Sequence, residues 1–226
     1  MRILVLGEGP NDLGHIAADG TLLQPGTIPI LVERLIKDVA PGLVIELEAM
    51  FWRDLRAHRG TGFDRKLELA YGLYGRRLSG IVGAVDRDGA KNRSRAQQLD
   101  AGAQALAELG FPVAVGLSVE TIEATLLADE DALRHALGDD SIDCQPDPES
   151  LLSRDEASDR NSKGRLRRLI LDSPAGANSN DFSMHYAEIA RRGDLTLLER
   201  RCPSGFGVFA RSVREFAQRL PSWGNT

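Results

Sequence analysis

Four short apolar runs rich in β-branched residues alternate with segments of helical periodicity through the first half of the chain. The apolar runs are residues 2–6, 43–47, 80–85 and 112–117. The helical segments are residues 28–39, 63–78 and 93–109. Continuous apolar runs of this length are typical of strands buried on both faces. Their alternation with helices predicts an α/β fold, with a parallel sheet of about four strands and helices on both faces.

After the fourth run the periodicity is helical only. It predicts helices at residues 119–128, 130–137, 163–171, 186–191 and 208–220. A stretch rich in Asp, Ser and Pro separates the second of these helices from the third. Such a composition favours loop structure. The expected parts are therefore an α/β domain at residues 1–137, an acidic loop or linker at 138–162 and a C-terminal helical cap at 163–226.

The charge of the chain is unevenly distributed, although its net value is only −5. Residues 163–226 contain eleven Lys or Arg and six Asp or Glu, so this part carries +5 and residues 1–162 carry −10. An acidic body with a basic end suits a metal site beside a phosphate-binding surface. Arginines on solvated helix faces would give the same distribution without any binding role.

Cysteine usage and hydropathy bear on the compartment. The chain contains two cysteines, Cys144 and Cys202, and no run that approaches the roughly 18 apolar residues of a membrane span. The apolar start, residues 1–6, is too short for a signal peptide. We therefore expect a cytoplasmic protein that is kept reduced and does not associate with a membrane.

Three carboxylates directly follow predicted strands. Glu8 comes after the first strand, between two glycines, and Asp86 and Asp88 come after the third, in the order Asp-Arg-Asp-Gly. In open parallel sheets, ligand-binding groups collect beyond the carboxyl ends of the strands. Two aspartates two positions apart in an extended chain point the same way and suit one hard cation, which prefers oxygen ligands. The sequence therefore predicts a Mg²⁺ or Mn²⁺ site at Glu8, Asp86 and Asp88.

Each of these groups also has a purely structural interpretation. An isolated Asp-x-Asp-Gly is common in solvated turns. A carboxylate after the first strand would complement the dipole of the helix that follows. The presence of Glu8 together with the Asp86 and Asp88 pair favours the metal site.

A second acidic pair, Glu120 and Glu123, follows the fourth predicted strand. Glu120 falls in the first turn of a predicted helix, where it would complement the helix dipole. Glu123 falls within the apolar stripe of that helix, where a carboxylate needs a compensating cation, hydrogen-bond donor or water. An arginine would satisfy this need as well as a metal ion.

The order of these motifs resembles the TOPRIM domain, in particular the version found in nucleases of the OLD (overcoming lysogenization defect) family. It is closer still to stand-alone bacterial TOPRIM-like proteins of unassigned function. The family's first-strand glutamate matches Glu8, its Asp-x-Asp matches Asp86 and Asp88, and its acidic helix matches Glu120 and Glu123. The stand-alone group also has motifs that match Pro148-Glu149, Lys163, Tyr186 and Cys202-Pro203-Ser204.

This resemblance implies metal-assisted phosphodiester hydrolysis of nucleic acid, with DNA favoured over RNA as the substrate. Asp86 and Asp88 would be the primary ligands of Mg²⁺ or Mn²⁺, and Glu8 would be a ligand or the general base. Glu120 and Glu123 would serve a second ion, and Lys163 would neutralise developing charge. The resemblance also implies a partner ATPase of the OLD type, a role in defence against phage and a possible homodimer.

The chain departs from compact TOPRIM domains in two respects. The interval from Glu8 to Asp86 is long, which indicates insertions around residues 15–27 and 50–62. Arg87 stands between the two aspartates and would reduce the charge that they offer to a metal ion.

Two other functions compete with the nuclease. One is a phosphatase of the haloacid dehalogenase type, with Asp86 and Asp88 as nucleophile and acid and residues 138–140 as its metal motif. Against that interpretation, no lysine lies between Lys91 and Lys163, and Gly138 follows a predicted helix where that fold expects a strand. The other alternative is a non-catalytic subunit that keeps the TOPRIM fold and acts through an ATPase, because a fold does not fix a function.

Overall fold

A computed structural model describes residues 1–56, 62–86, 93–118, 122–143, 147–176 and 181–223. The strands are β1 (Arg2–Gly7), β2 (Gly14–Ile16), β3 (Leu22–Pro25), β4 (Glu46–Phe51), β5 (Gly80–Asp86) and β6 (Val113–Ser118). The helices of the first half are α1 (Pro10–Leu13), α2 (Thr27–Val39), α3 (Phe63–Tyr74) and α4 (Arg93–Glu108). The later helices are α5 (Ile122–Leu126), α6 (Glu130–Leu137), α7 (Ser162–Asp172), α8 (Phe182–Arg192), α9 (Leu195–Arg201) and α10 (Phe206–Trp223).

The central sheet has four strands in the order β4-β1-β5-β6, and all of its pairings are parallel. Side chains of β1 alternate between two hydrophobic clusters. Ile3 and Val5 pack with α2 and α10 on one face, and Leu4 and Leu6 pack with α3 and α4 on the other. The predicted α/β fold, with a parallel sheet and helices on both faces, is therefore confirmed.

The C-terminal helices share the core of the sheet. Tyr186 of α8 and Phe216 of α10 are buried in the same cluster as Ile3 and Val82. Helix α10 also lies along the outer edge of β6, where the Val115 N–H donates to the Ser212 hydroxyl at 3.2 Å. The region after residue 162 is thus part of the hydrophobic interior and covers one face of the sheet.

The structure contains elements that the sequence patterns did not predict. Strands β2 and β3 form an antiparallel hairpin within the expected insertion at residues 15–27. Gly14 begins this hairpin at a positive φ of 83°, and a Cβ there would lie 2.0 Å from the Gln24 carbonyl oxygen. Strands of three and four residues are too short to show a periodicity, which is why the hairpin was not predicted.

Several predicted boundaries were wrong. Helix α8 begins at Phe182 instead of residue 186, and β4 ends at Phe51 instead of residue 47. The second strand begins at Glu46 instead of residue 43, because Leu43 closes a turn onto Ala40 and Val44 is exposed. Helix α3 ends at Tyr74 instead of residue 78, and Gly75 follows as its C-cap. Among the helices of the described residues, none is long and apolar enough to cross a membrane.

Candidate functional site

Strands β1 and β5 are neighbours in the sheet, and their carboxyl ends bring Glu8 and Asp86 to one edge. Leu6 of β1 stands opposite Gly83 of β5, so both chains leave the sheet at nearly the same level. Nη1 of Arg95 touches both strand ends, at 3.1 Å from Oε1 of Glu8 and 2.8 Å from the backbone oxygen of Asp86. The predicted proximity of these two positions is therefore present.

An open pocket of about 720 Å³ lies at this edge of the sheet. It is lined mainly by polar and charged residues, from four parts of the chain: Glu8, Gly9, Pro10, Asn11, Asp12, Asp86, Glu123, Ser153, Arg154, Glu156, Asn161 and Lys163. Four predicted site residues, Glu8, Asp86, Glu123 and Lys163, are thus brought to one place. The other two, Asp88 and Glu120, lie outside the described residues.

Asp12 is a member of the site to which the sequence reasoning assigned no role. Its Oδ2 accepts the N–H groups of Glu8 and Gly9, both at 2.9 Å, so it shapes the turn that presents Glu8. Burial raises the pKa of Asp12 to about 6, although these two hydrogen bonds lower it. The charges of Glu123 and Glu8 add to the rise. In the sequence, this role of Asp12 was indicated only by its position four residues after Glu8.

Glu123 is buried within helix α5, where 4% of its surface is exposed. The Tyr186 hydroxyl supplies the donor that a buried carboxylate needs, at 3.3 Å from Oε1 of Glu123. Burial raises the pKa of Tyr186 above its usual range, and the charge of Glu123 raises it further. Tyr186, which is one of the residues of the motif resemblance, therefore contacts a residue of the pocket wall, Glu123.

Lys163 reaches the pocket from the first turn of α7. The side chain of Asn161 begins this helix by accepting the Gly164 N–H at 2.7 Å. Nζ of Lys163 lies 3.4 Å from Oε1 of Glu156, another residue of the pocket wall. Lys163 thus provides a partly exposed cation in the wall of the pocket that Glu8 and Asp86 also line.

Two further cations lie beside Glu8 and were not predicted. Arg95 forms the ion pair described above, and its guanidinium lies 5.7 Å from the centre of the Phe63 ring. Nζ of Lys66 lies 5.6 Å from the centre of the same ring and donates to the Trp52 carbonyl at 2.7 Å. Burial lowers the pKa of Lys66, and the charge of Glu8 opposes that fall.

The donor chemistry of the pocket fits a hard divalent cation. Carboxylate oxygens are the preferred protein ligands of Mg²⁺ and Mn²⁺. The repulsion of Asp12 by Glu8 and Glu123 is of the kind that a bound cation relieves. Within the described part of the chain, however, no three acidic, His or Cys residues are close enough to form a metal site. A complete set of metal ligands would thus need these side chains to move, or would include residues outside the described part of the chain.

Two motifs of the resemblance meet away from the pocket. The Glu149 carboxylate accepts the N–H groups of Ser204 at 3.1 Å and Gly205 at 2.6 Å, directly before α10. Cys202 is buried next to α5, and burial raises the pKa of its thiol to about 12. Pro148-Glu149 and Cys202-Pro203-Ser204 therefore stabilise the start of α10.

Residues 138–140, the metal motif in the phosphatase alternative, lie at the C-terminal end of helix α6. Gly138 ends α6 in a left-handed conformation with a φ of 68°. Oδ1 of Asp139 accepts the N–H and the hydroxyl of Ser141, which closes the following turn. These contacts give Gly138 and Asp139 a structural role.

Comparisons of the chain with protein family models, with curated proteins and with solved structures found no match. The functional interpretation therefore rests on the pocket itself and on the motif resemblance.

Proposed function

We propose that this chain is a Mg²⁺- or Mn²⁺-dependent phosphodiester hydrolase of the TOPRIM type that acts on nucleic acid, with DNA as the preferred substrate. The observation that carries the proposal is the convergence of Glu8, Asp86, Glu123 and Lys163 on one pocket, although 155 positions separate the first from the last. No local capping or turn-forming role requires residues so far apart in the chain to converge on one pocket.

Each described residue has a distinct part in this proposal. Glu8 and Asp86, with Asp88, would hold the cation, and Glu123, with Glu120, would complete the acidic wall or hold a second ion. A bound divalent cation polarises the phosphate and lowers the pKa of water. Lys163, which also lines the pocket, would neutralise the charge that develops on the phosphate oxygens.

The pocket also favours an extended phosphodiester over a small enclosed substrate. Its 720 Å³ are open to solvent and lined largely by charged and polar groups. Pockets for small apolar ligands are instead mostly hydrophobic and enclose most of the ligand. A nucleic acid strand lying across the mouth would place one phosphate between Lys163 and the carboxylates.

The test is Glu8→Gln, which keeps the size of the side chain and removes its charge. We expect Mn²⁺- or Mg²⁺-dependent cleavage of labelled DNA to fall at least about a hundredfold, because groups acting as one unit lose most activity when any is removed. The matched control is Glu46→Gln, an exposed carboxylate paired with Arg2 at the opposite edge of the sheet. Circular dichroism should show that both variants fold.

The assay should be run with and without the ATPase encoded beside this chain, if its gene neighbour encodes one. Undiminished cleavage by Glu8→Gln would remove Glu8 from the mechanism. Absence of cleavage by the wild type under every condition would contradict the hydrolase.

A second candidate is a non-catalytic subunit that binds nucleic acid or a partner ATPase through the same fold. The ion pair between Glu8 and Arg95 favours it, because a carboxylate engaged by a guanidinium is less available to a metal ion. Binding of DNA or ATPase by the wild type, without cleavage and unchanged in Glu8→Gln, would support this function.

A further inference from the structure

Arg95 places a positive charge between the two strand ends on which the proposed metal site depends. It belongs to the first turn of α4, which follows β5 in the chain. One nitrogen, Nη1, donates both to Oε1 of Glu8 at 3.1 Å and to the backbone oxygen of Asp86 at 2.8 Å. A single cationic group therefore bridges the end of β1 and the end of β5.

The surroundings of Arg95 hold it at this place. Its guanidinium lies against the Phe63 ring, which is attractive for a cation. The side chains of Arg95 and Glu8 are 25% and 30% exposed, so the pair is more shielded from solvent than an ordinary surface pair. Lys66 lies against the same ring, but its ammonium group donates to Trp52. Among the described residues, Arg95 is therefore a cation in direct contact with the Glu8 carboxylate.

A carboxylate oxygen that binds a guanidinium loses part of its capacity to bind a metal ion. Two cations held by the same oxygen would also repel each other at short range. The position of Arg95, on Glu8 and at the backbone of Asp86, is where a cation shared by these two residues would be expected. We propose that Arg95 is a tethered counterion, which neutralises Glu8 in the metal-free protein and leaves it when a divalent cation binds.

This inference rests on the proposed metal site at Glu8 and adds a regulatory residue to it. Its consequence is competition: metal binding must include the cost of breaking the pair between Arg95 and Glu8. Removing the guanidinium removes that cost. An arginine that instead supported the metal site, by orienting Glu8, would have the opposite effect on affinity.

The experiment is calorimetric titration of Mn²⁺ into the wild type and into Arg95→Gln. We expect the variant to bind Mn²⁺ about three- to tenfold more tightly, the range that a partly shielded ion pair of this kind is worth. The matched control is Arg65→Gln, which removes an arginine that pairs with Glu68 on the exposed face of α3. The control should bind Mn²⁺ as the wild type does.

A second measurement observes Arg95 in the wild type and does not depend on the folding of the Gln variant. The Nε–Hε resonance of Arg95 in ¹⁵N NMR spectra, assigned by its loss in Arg95→Lys, should shift as Mg²⁺ is added. The shift should saturate at the same Mg²⁺ concentration as the calorimetric signal for that ion. The Mg²⁺-dependent shift of this resonance should be absent in Glu8→Gln, in which the pair between Arg95 and Glu8 is already broken.

The outcomes separate this inference from the proposed function. Mn²⁺ affinity that is unchanged or lower in Arg95→Gln, with binding by the wild type, would overturn the tethered counterion and leave the metal site standing. An Arg95 resonance that stays in place while Mg²⁺ binds would do the same. Absence of Mn²⁺ binding in both wild type and variant would overturn both.

Discussion

At the scale of single residues, Asp12 is a carboxyl group whose ionisation the fold opposes. Its pKa is raised from 3.8 to about 6, mainly by burial, while Glu8 and Gly9 donate two backbone hydrogen bonds to it. Between these two pH values the folded protein binds more protons than the unfolded chain. The stability of the metal-free protein therefore falls as pH rises through this window, and the loss remains above pH 6.

We predict that Asp12→Asn stabilises the metal-free protein at pH 8 by about 2–3 kcal/mol and changes its stability little at pH 4. The asparagine oxygen still accepts both N–H groups, and the buried charge is gone. Urea denaturation with a chelator present, at both pH values, measures the difference. Asp19→Asn is the control, because hydrogen bonds from Thr21 lower the pKa of that exposed carboxylate. A gain of equal size at both pH values would show that charge is not its cause.

At the scale of secondary structure elements, the sequence predicted best where a local signal coincides with the tertiary structure. Helix α6 has the predicted bounds, because Asp129 caps its first turn and Gly138 ends it in a left-handed conformation. Strand β5 differs from its prediction by one residue, since its apolar run is buried on both faces. The hairpin of β2 and β3 has no comparable signal, as it depends on the close approach of Gly14 and Gly26.

In the candidate site too, residues with a local sequence signal were predicted and residues that depend on distant contacts were not. Glu8 and Asp86 were predictable, because strand ends of a parallel sheet are a known position for ligand groups. Glu123 was indicated by its place within an apolar stripe, although its donor, Tyr186, is 63 positions away. The role of Arg95 depends on a contact across 87 positions, and no local pattern signals such a contact. Pairing between distant elements is the information that a single sequence lacks.

Glu149 provides a test of an element boundary that is separate from the pocket. Its carboxylate accepts two N–H groups at the start of α10, where the helix dipole also favours negative charge. We predict that Glu149→Ala lowers the free energy of unfolding by about 1–3 kcal/mol and leaves Mn²⁺ affinity unchanged. Hydrogen exchange at Gly205 should accelerate along with the loss. Glu108→Ala, which removes an exposed carboxylate near the end of α4, should change neither. Weakened Mn²⁺ binding by Glu149→Ala would place this motif in the metal site.

At the scale of the whole molecule, the basic charge of residues 163–226 is partly balanced by ion pairs, some with residues 1–162 and some within the region itself. Many basic side chains of residues 163–226 pair with acidic groups of the chain. The pairs include Lys163 and Arg167 with Glu156, Arg168 with Asp159, Arg191 and Arg192 with Glu188, and Arg214 with Asp38 and Glu199. Arginines in such pairs are less available to phosphates. The acidic groups at the sheet edge also repel phosphates. Charge counts alone therefore overstate the basic surface that a nucleic acid would meet.

This balance predicts that nucleic acid binding depends on metal and only weakly on salt. Each phosphate that a protein neutralises contributes about −0.9 to the slope of log affinity against log salt concentration for duplex DNA. With at least five of the ten arginines of residues 163–226 in ion pairs, we expect a slope shallower than about −3 in Mg²⁺ and little binding with a chelator present. Fluorescence anisotropy of a labelled, cleavage-resistant duplex with the wild-type protein measures both quantities between about 25 and 200 mM NaCl. Arg214→Gln, which breaks the pairs with Asp38 and Glu199, should leave the slope unchanged. A slope of about −6 or steeper without metal would mean that these arginines leave their partners for phosphate, and that the C-terminal helices bind nucleic acid independently of the pocket.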